Sequence, residues 1–514
     1  MNSAPTKQQA PAEGEVADRP LGGLVRHSAI YSAAPVLRQL ISVGMTRFYT
    51  AWLGGAGAGV KENADLWGIA LQQILGQNVL ASMMRFYFDQ KNERDRGAVV
   101  TSCTILILLT AFGICGAGLA FVPWLTPLLL GKGDIVPDSE LLRVCTLLLL
   151  LVPFQLATVS GNYYLFALKR SGLFTTIQTA KLVFEVGMNV ILMGHYEMGV
   201  RGFLLSMLAG EILTSTGLVG WMFVTLRPRL EWRLLPPILR YAAPLVPVGL
   251  LQLLLHQLDR RIVLELLGQV PAGVYGFGYK IASLVTNVVL GPFIVTWQPW
   301  IFGVEDPGER ARLVARVSTY AVLVIGVTSL AVILFGHQAS SILAGSPEFL
   351  AAFRVIPFLA TGYVFWALYN VTQTPLFLEK RTLPLVFVNA VAVGLNVGLN
   401  LWLIPPLGIL GAALATLLTF AGLAGMGMLA SRRAAGVPFE LGRLAAVLAC
   451  VITGGAAALL LDSRQEAGGL SPLLAMGLKG AVLVALVLVL GFGTLRAEER
   501  ERFRRWVLGR LGRA

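Results

Sequence analysis

The stretch "YAAPLVPVGLLQLLLHQLDRRIVLELLGQ", residues 241–269, is mostly hydrocarbon, yet His256, Asp259, Arg260, Arg261 and Glu265 are set into it. A helix needs about 20 apolar residues to cross roughly 30 Å of bilayer core. This segment is long enough, and its ionisable groups are expensive at that depth. Working outward from it, similar runs recur from residue 27 almost to the end of the sequence, about fourteen in all. Their approximate limits are 27–53, 64–88, 98–123, 140–167, 173–195, 199–226, 239–266, 271–301, 314–336, 350–378, 383–404, 407–430, 443–461 and 472–494.

Composition gives the same class. The 514 residues are 56% hydrophobic and only 13% charged, with a mean hydropathy of +0.71, whereas a soluble globule carries about a quarter charged residues. The expected fold is therefore an all-α polytopic membrane protein. Residues 1–26 are polar and rich in Ala, Pro and Glu, and lack the apolar core of a cleaved signal peptide. They read as a disordered cytoplasmic tail. Cys103, Cys115, Cys145 and Cys450 all fall within spans, where a thiol acts as a small hydrophobe, and no disulfide or zinc spacing is present.

Positive charge is retained on the cytoplasmic side of a membrane, and here it marks every second connection. Lys91, Arg94 and Arg96 are followed by Lys169 and Arg170, by Arg227, Arg229 and Arg233, by Arg310, Arg312 and Arg316, by Lys380 and Arg381, and by Arg432 and Arg433. The basic tail 495–514 continues the series. Both termini are thus expected in the cytoplasm. The net charge of +13 is mainly this topology signal, with a secondary attraction to anionic membrane lipid. The basic residues share no groove, and nucleic acid is not an expected partner. Loops are short, and neither a Walker-type glycine loop nor a metal-ligand spacing occurs. No cofactor is expected, and a transporter fits better than an enzyme.

The chain repeats itself. "YSAAPVLRQLISVGMTRFYTAWLGG", from Tyr31, parallels the opening stretch: Pro35 matches Pro244, and Arg47 and Arg261 stand before Gly54 and Gly268 with equal spacing. "ADLWGIALQQI" likewise matches "AGVYGFGYKIA", pairing Gly68 with Gly276 and Gln72 with Lys280. Both copies start on the same side, so the repeat is parallel, about an axis along the membrane normal.

The segments "MMRFYFDQKNERDRG" (83–97) and "LDRRIVLELLGQVPAGVYGFGYKIASLV" (258–285) resemble the polysaccharide-export branch of the multidrug/oligosaccharidyl-lipid/polysaccharide (MOP) flippase superfamily, the Wzx-type flippases. The resemblance covers nearly the whole chain from about residue 26. It implies two six-helix lobes in a V around a central cavity, an N-lobe at 27–226 and a C-lobe at 227–430, followed by two accessory helices within 431–494. It implies an undecaprenyl-diphosphate-linked oligosaccharide as substrate, moved by alternating access from the cytoplasmic to the outer leaflet of a bacterial inner membrane. Polysaccharide polymerase machinery is the corresponding expected neighbour, in lipopolysaccharide or related polysaccharide biosynthesis.

An ionisable group far from either surface is a functional candidate by default. Arg38 lies a little under half-way along the first span and Lys280 about a third into the eighth, one from each lobe. They are the expected diphosphate site, with Arg260 and His256 as further substrate-binding candidates. Asp259, Glu211, Glu185 and Lys181 are the candidates for ion coupling. Blander readings stay open beside these. Lys181 and Glu185, at i,i+4, can be a tolerated ion pair, Asp259 and Arg260 an intrahelical pair, and Arg38 a structural partner of Glu211. Arg261 and Glu265 are expected to neutralise each other, and Trp297 and Trp300 to anchor a helix end at the interface. A multidrug-extrusion cation antiporter, a lipid II flippase of the same superfamily and a non-transport scaffold of a polysaccharide assembly complex are the alternative functions.

Overall fold

Hydrocarbon offers no water to an unpaired backbone group, so spanning segments must close their hydrogen bonds internally. The computed structural model satisfies this with helices alone; no strand occurs among the described residues. These are residues 63–130, 137–304, 306–343 and 347–494, with isolated positions between 37 and 61. Arg38, Arg47 and both terminal tails lie outside them.

The first half contains α1 (63–89), α2 (Glu93–Leu119), α3 (Asp138–Ala167), α4 (Ser171–His195) and α5 (Gly199–Leu226). The second contains α6 (Leu245–Leu267), α7 (269–302), α8 (Pro307–Leu334), α9 (Ile356–Thr372), α10 (Leu383–Leu407) and α11 (Ile409–Ala435). Two more helices follow, α12 (Leu441–Glu466) and α13 (Pro472–Thr494). Among the described residues, ten helices are long and apolar enough to cross a membrane. Of the others, α9 has only 17 residues, and α1 and α7 are each interrupted by a π turn, at Gln73–Gln77 and Thr286–Leu290. Gly76 sits inside the first turn at φ 149°, a conformation closed to a side chain, and an added Cβ would fall 2.1 Å from Ile107. Local signals fix other ends. Asp306 caps α8 by accepting from the Glu309 amide at 2.5 Å, with Pro307 in its first turn.

The two halves are built alike. α2 packs on α3, α3 on α5 and α4 on α5; correspondingly α8 packs on α9, α9 on α11 and α10 on α11. Left-handed backbone positions recur with the same period. Lys169 and Lys380, Gly199 and Gly408, and Arg227 and Gly436 each have φ between 52° and 61° and stand about 210 residues apart, the signature of a structural repeat. Each half has its own apolar core, around Leu80, Val99, Leu148 and Met222 in the first and Tyr275, Leu359, Ala412 and Phe420 in the second. Tyr241, Leu376 and Leu385 cross over to the first core, so the halves touch at the end that carries the basic loops.

Trp297 does not anchor an interface. It is fully buried, donates its indole N–H to Thr374 Oγ1 at 3.0 Å and stacks on Phe293, because the turn Thr374–Leu378 covers the end of α7. α12 and α13 are held by another buried group. Lys479 on α13 donates to Asp462 on α12 at 2.5 Å and to Gln338 Oε1 at 3.0 Å, in the short helix after α8. Removing one member of such a pair leaves a naked charge and costs about 3–5 kcal/mol, while replacing both by apolar groups is often neutral. Lys479→Ala should therefore lower thermal stability in detergent markedly, and Lys479→Met with Asp462→Leu should regain most of it. Equal melting of wild type and Lys479→Ala would refute this.

Candidate functional site

A cavity of about 500 Å³ opens within the first half, on the side away from the basic loops. Among the described lining residues only Lys280, exposed on α7, comes from the second half. Its ammonium therefore faces a wall supplied by the other bundle. The polar groups in that wall are organised. Lys61 pairs with Asp65 at 2.7 Å and lies 4.5 Å from the Phe203 ring. Gln72 donates to Gln155 at 3.0 Å, and Asn189 to the Tyr49 hydroxyl at 3.0 Å. Gln72 and Lys280 are the pair that the sequence repeat aligned.

Glu185 also lines the cavity and leads into a buried cluster. Lys181 lies 3.6 Å from Glu185 and bonds Glu211 directly, while Thr158 donates to the second oxygen of Glu211 at 2.6 Å. All three ionisable groups are less than 9% exposed. One ammonium thus faces two carboxylates from α4 and α5. The partner of Glu211 is Lys181; Arg38, the alternative raised by the sequence, lies outside the described residues.

The residues of the opening stretch separate instead of sharing a cavity lining. Asp259 is fully buried within the second half. Its Oδ1 accepts from Asn400 at 2.9 Å, and its Oδ2 from Tyr275 at 3.1 Å and from Thr416. It makes no ion pair with Arg260. The Arg260 guanidinium lies over the Tyr279 ring at 4.8 Å. His256 Nδ1 meets the Tyr279 hydroxyl at 2.7 Å, and its ring packs against Trp366, Phe420 and Tyr363. None of the three is among the described residues that line that cavity. The reason is rotational: the face of α6 that carries them turns toward α7, α10 and α11. Arg261 and Glu265, on the exposed side, pair at 2.9 Å as their spacing suggests.

Sequence reading missed two sets of residues. The first is the amide set of α10, where Asn389, Asn396 and Asn400 are all fully buried. Spacings of seven and four place them on one helical face, a signal that a search for ionisable groups passes over. The second is the seal between the halves. Asp89, at the end of α1, accepts from Arg85 and from Lys380 at 2.9 Å. Arg85 also reaches the Leu378 carbonyl at 3.3 Å, and the Tyr241 hydroxyl donates to the Phe377 carbonyl at 3.1 Å. Lys380 rests over the Phe86 ring at 4.9 Å with its own backbone left-handed.

Comparison with known proteins fits this geometry. Residues 90–332 match the family described as polysaccharide biosynthesis protein, and residues 303–402 match the MatE family. No curated protein matches. A MOP-superfamily transporter from Pyrococcus furiosus, whose description notes a reversed polarity of its binding pocket, superposes with a TM-score of 0.70 at 16% identity, over 85% of this chain and 99% of that one. An outward-facing multidrug-resistance MATE transporter gives 0.69 at 17%, over 85% and 99%. A MATE protein in complex with MaL6 gives 0.69 at 17%, over 83% and 97%. The chain has the fold of the MOP superfamily. The two family matches, over residues 90–332 and 303–402, lie within the part of the chain that carries this fold.

Alternating access in such a two-bundle transporter requires the seam to part. A cysteine placed at Ser82, in a background without the native thiols, should react slowly with a membrane-impermeant maleimide added from the basic-loop side. Lys380→Glu should speed that labelling several-fold, and Asp89→Lys combined with Lys380→Asp should slow it again. Unchanged labelling in Lys380→Glu would remove the pair from the seal.

Proposed function

We propose that the chain is a lipid-linked oligosaccharide flippase, carrying undecaprenyl-diphosphate-linked repeat units from the cytoplasmic to the outer leaflet of a bacterial inner membrane. The observation that carries this reading is the match of residues 90–332 to a polysaccharide biosynthesis family, over a region that supplies most of the described cavity wall and Lys280. In this reading both termini are cytoplasmic, and the lobes 27–226 and 227–430 rock about the seam. Polysaccharide polymerase machinery receives the product. A diphosphate headgroup crosses hydrocarbon only with its charge compensated, and Lys280, joined by Arg38, is the proposed compensation. Arg offers a planar fork to phosphate and Lys a point charge. Arg38→Lys should therefore impair transport more than Lys280→Arg.

Lys280→Ala should reduce translocation in proteoliposomes by about tenfold or more, the scale of one lost charge-assisted hydrogen bond, at normal membrane abundance. Normal export by both Lys280→Ala and Arg38→Ala would reject the site. Failure of the wild-type chain to move a lipid-linked oligosaccharide would reject the function.

Coupling to an ion gradient is part of the same proposal. The Lys181, Glu185 and Glu211 cluster gathers two buried carboxylates on α4 and α5, the kind of group that relays protons within membrane-spanning segments. Asp259 offers a further buried carboxylate, held by donors from Thr416, Asn400 and Tyr275. Glu185→Gln, Glu211→Gln and Asp259→Asn should uncouple flux from the gradient; unchanged gradient dependence in all three would exclude these groups. The MatE match at 303–402 favours a second reading, a cation antiporter for drugs, which the same proteoliposomes test with a cationic dye as cargo.

A further inference from the structure

A second cavity, of about 180 Å³, lies at the seam between the halves. Six amide side chains line it: Gln73 and Asn78 from α1, Gln252 from α6, Gln298 from α7, Asn370 from α9 and Gln373 just beyond α9. Among the described lining residues none is ionisable apart from the Tyr241 phenol. Tyr241, Phe302 and Phe377 also line it, and Tyr241 and Phe377 belong to the seal described above. The cavity therefore sits directly inside the closed basic-loop end. It is built with care on the α1 side. Gly249 has no side chain where Gln73 arrives, and a Cβ there would fall 2.5 Å from Gln73 Oε1. Gln73 Oε1 in turn accepts from Asn78 at 2.8 Å. The π turn that displaces α1 begins at Gln73 itself.

The chemistry of the lining selects its occupant. Phosphate is held by Arg and Lys forks and point charges, neither of which occurs among the described lining residues, and drug-sized apolar ligands are held by largely apolar walls. An amide both donates and accepts, as a hydroxyl does, so a ring of amides complements a neutral polyhydroxylated molecule. Most of the hydrogen-bonding capacity is left open. Gln373 reaches Asn370 only at 3.4 Å, and Gln298 makes no hydrogen bond among the described residues. The volume holds one sugar ring, or about six waters.

We infer that this amide pocket is the sugar-reading subsite of the transporter, taking one uncharged ring of the lipid-linked headgroup as it enters from the basic-loop side. The inference rests on the flippase reading above. Lys280 and the central cavity then serve the charged part of the substrate, and the pocket its sugars.

Binding to the full chain in nanodiscs tests this, with two probes. One is the lipid-linked oligosaccharide purified from producing cells that lack this protein, and the other is undecaprenyl diphosphate without sugar. The wild type should bind the sugar-bearing lipid about tenfold more tightly, the effect of one or two net hydrogen bonds. Gln298→Leu, which breaks no existing bond, should cut that ratio about threefold to fivefold. Adding Gln252→Leu should bring it near one. Because Gln252 bonds Tyr369 and its loss can disturb folding, Gln298→Leu alone decides the matter. A ratio unchanged in Gln298→Leu overturns the pocket's role and marks it as a water-filled seam. Equal binding of both lipids by the wild type also overturns it, with the flippase reading intact. Binding of neither lipid overturns both.

Discussion

The contact of Asp89 with Lys380 at 2.9 Å joins two bundles that each have their own apolar core. This division of labour governs the rest of the structure. If one continuous core ran through both halves, parting them would expose large apolar surface and cost on the order of 25 cal/mol per Å². Here the crossing contacts are an ion pair, a hydrogen bond to a loop carbonyl, a few aromatic rings and a limited set of apolar side chains, among them Leu245, Val248, Leu376 and Leu385, that pack into the first core. The polar part of that seam is exchangeable for water at small net cost. Lys380 is also held in a left-handed backbone conformation, a form of local strain associated with switch regions.

The buried ionisable groups follow a complementary rule. Lys181, Glu185 and Glu211 cluster between α4, α5 and α3, and Asp259 is held between α6, α7, α10 and α11. Lys479 and Asp462 close the accessory pair. Each of these clusters lies within one half or its appendage, where helices stay packed, while Asp89, Arg85 and Lys380 cross the seam. A proton or cation arriving at an internal cluster therefore acts on the seam only by changing how one bundle holds itself. A ligand shifts a two-state equilibrium only through its different affinity for the two states. In the proposed cycle that difference has to be stored in the packing of α4 against α5, or of α6 against α10.

Much of this was written in the sequence because hydrocarbon tolerates so few solutions. Apolar runs of about 20 residues located the helices, and the Tyr31 and Tyr241 segments announced a repeat that the backbone repeats in Lys169 and Lys380. The depth of Lys181, Glu185, Glu211 and Asp259 marked them as costly, and all four are buried and bonded. Rotation of a helix about its axis was less legible. His256, Asp259 and Arg260 share a face by spacing, but spacing does not say which neighbour that face meets. Amides escaped for a related reason. Gln252, Gln298 and Asn400 carry no charge, so a ranking by ionisation passes over them, although an unsatisfied amide in hydrocarbon is also expensive. The seal escaped because Asp89 and Lys380 are far apart in sequence and each looks like an ordinary loop charge.

The two cavities divide along the same chemical line. The larger, lined by Lys61, Asp65, Glu185 and Lys280, is a place of charges and lies away from the basic loops. The smaller, lined by amides, lies just inside the seal. An oligosaccharide diphosphate lipid has both kinds of group in one headgroup, the neutral sugars outermost and the diphosphate nearest the acyl chain. In the proposed cycle, such a lipid enters through a parted seam, and its sugars meet neutral donors and acceptors before its phosphates meet Lys280. Uncharged amides discriminate by the direction of each hydrogen bond, whereas a point charge attracts any anion. A chain that tests the sugars first and compensates the charge second can admit a phosphate-bearing lipid without being held closed by every anionic headgroup in the leaflet.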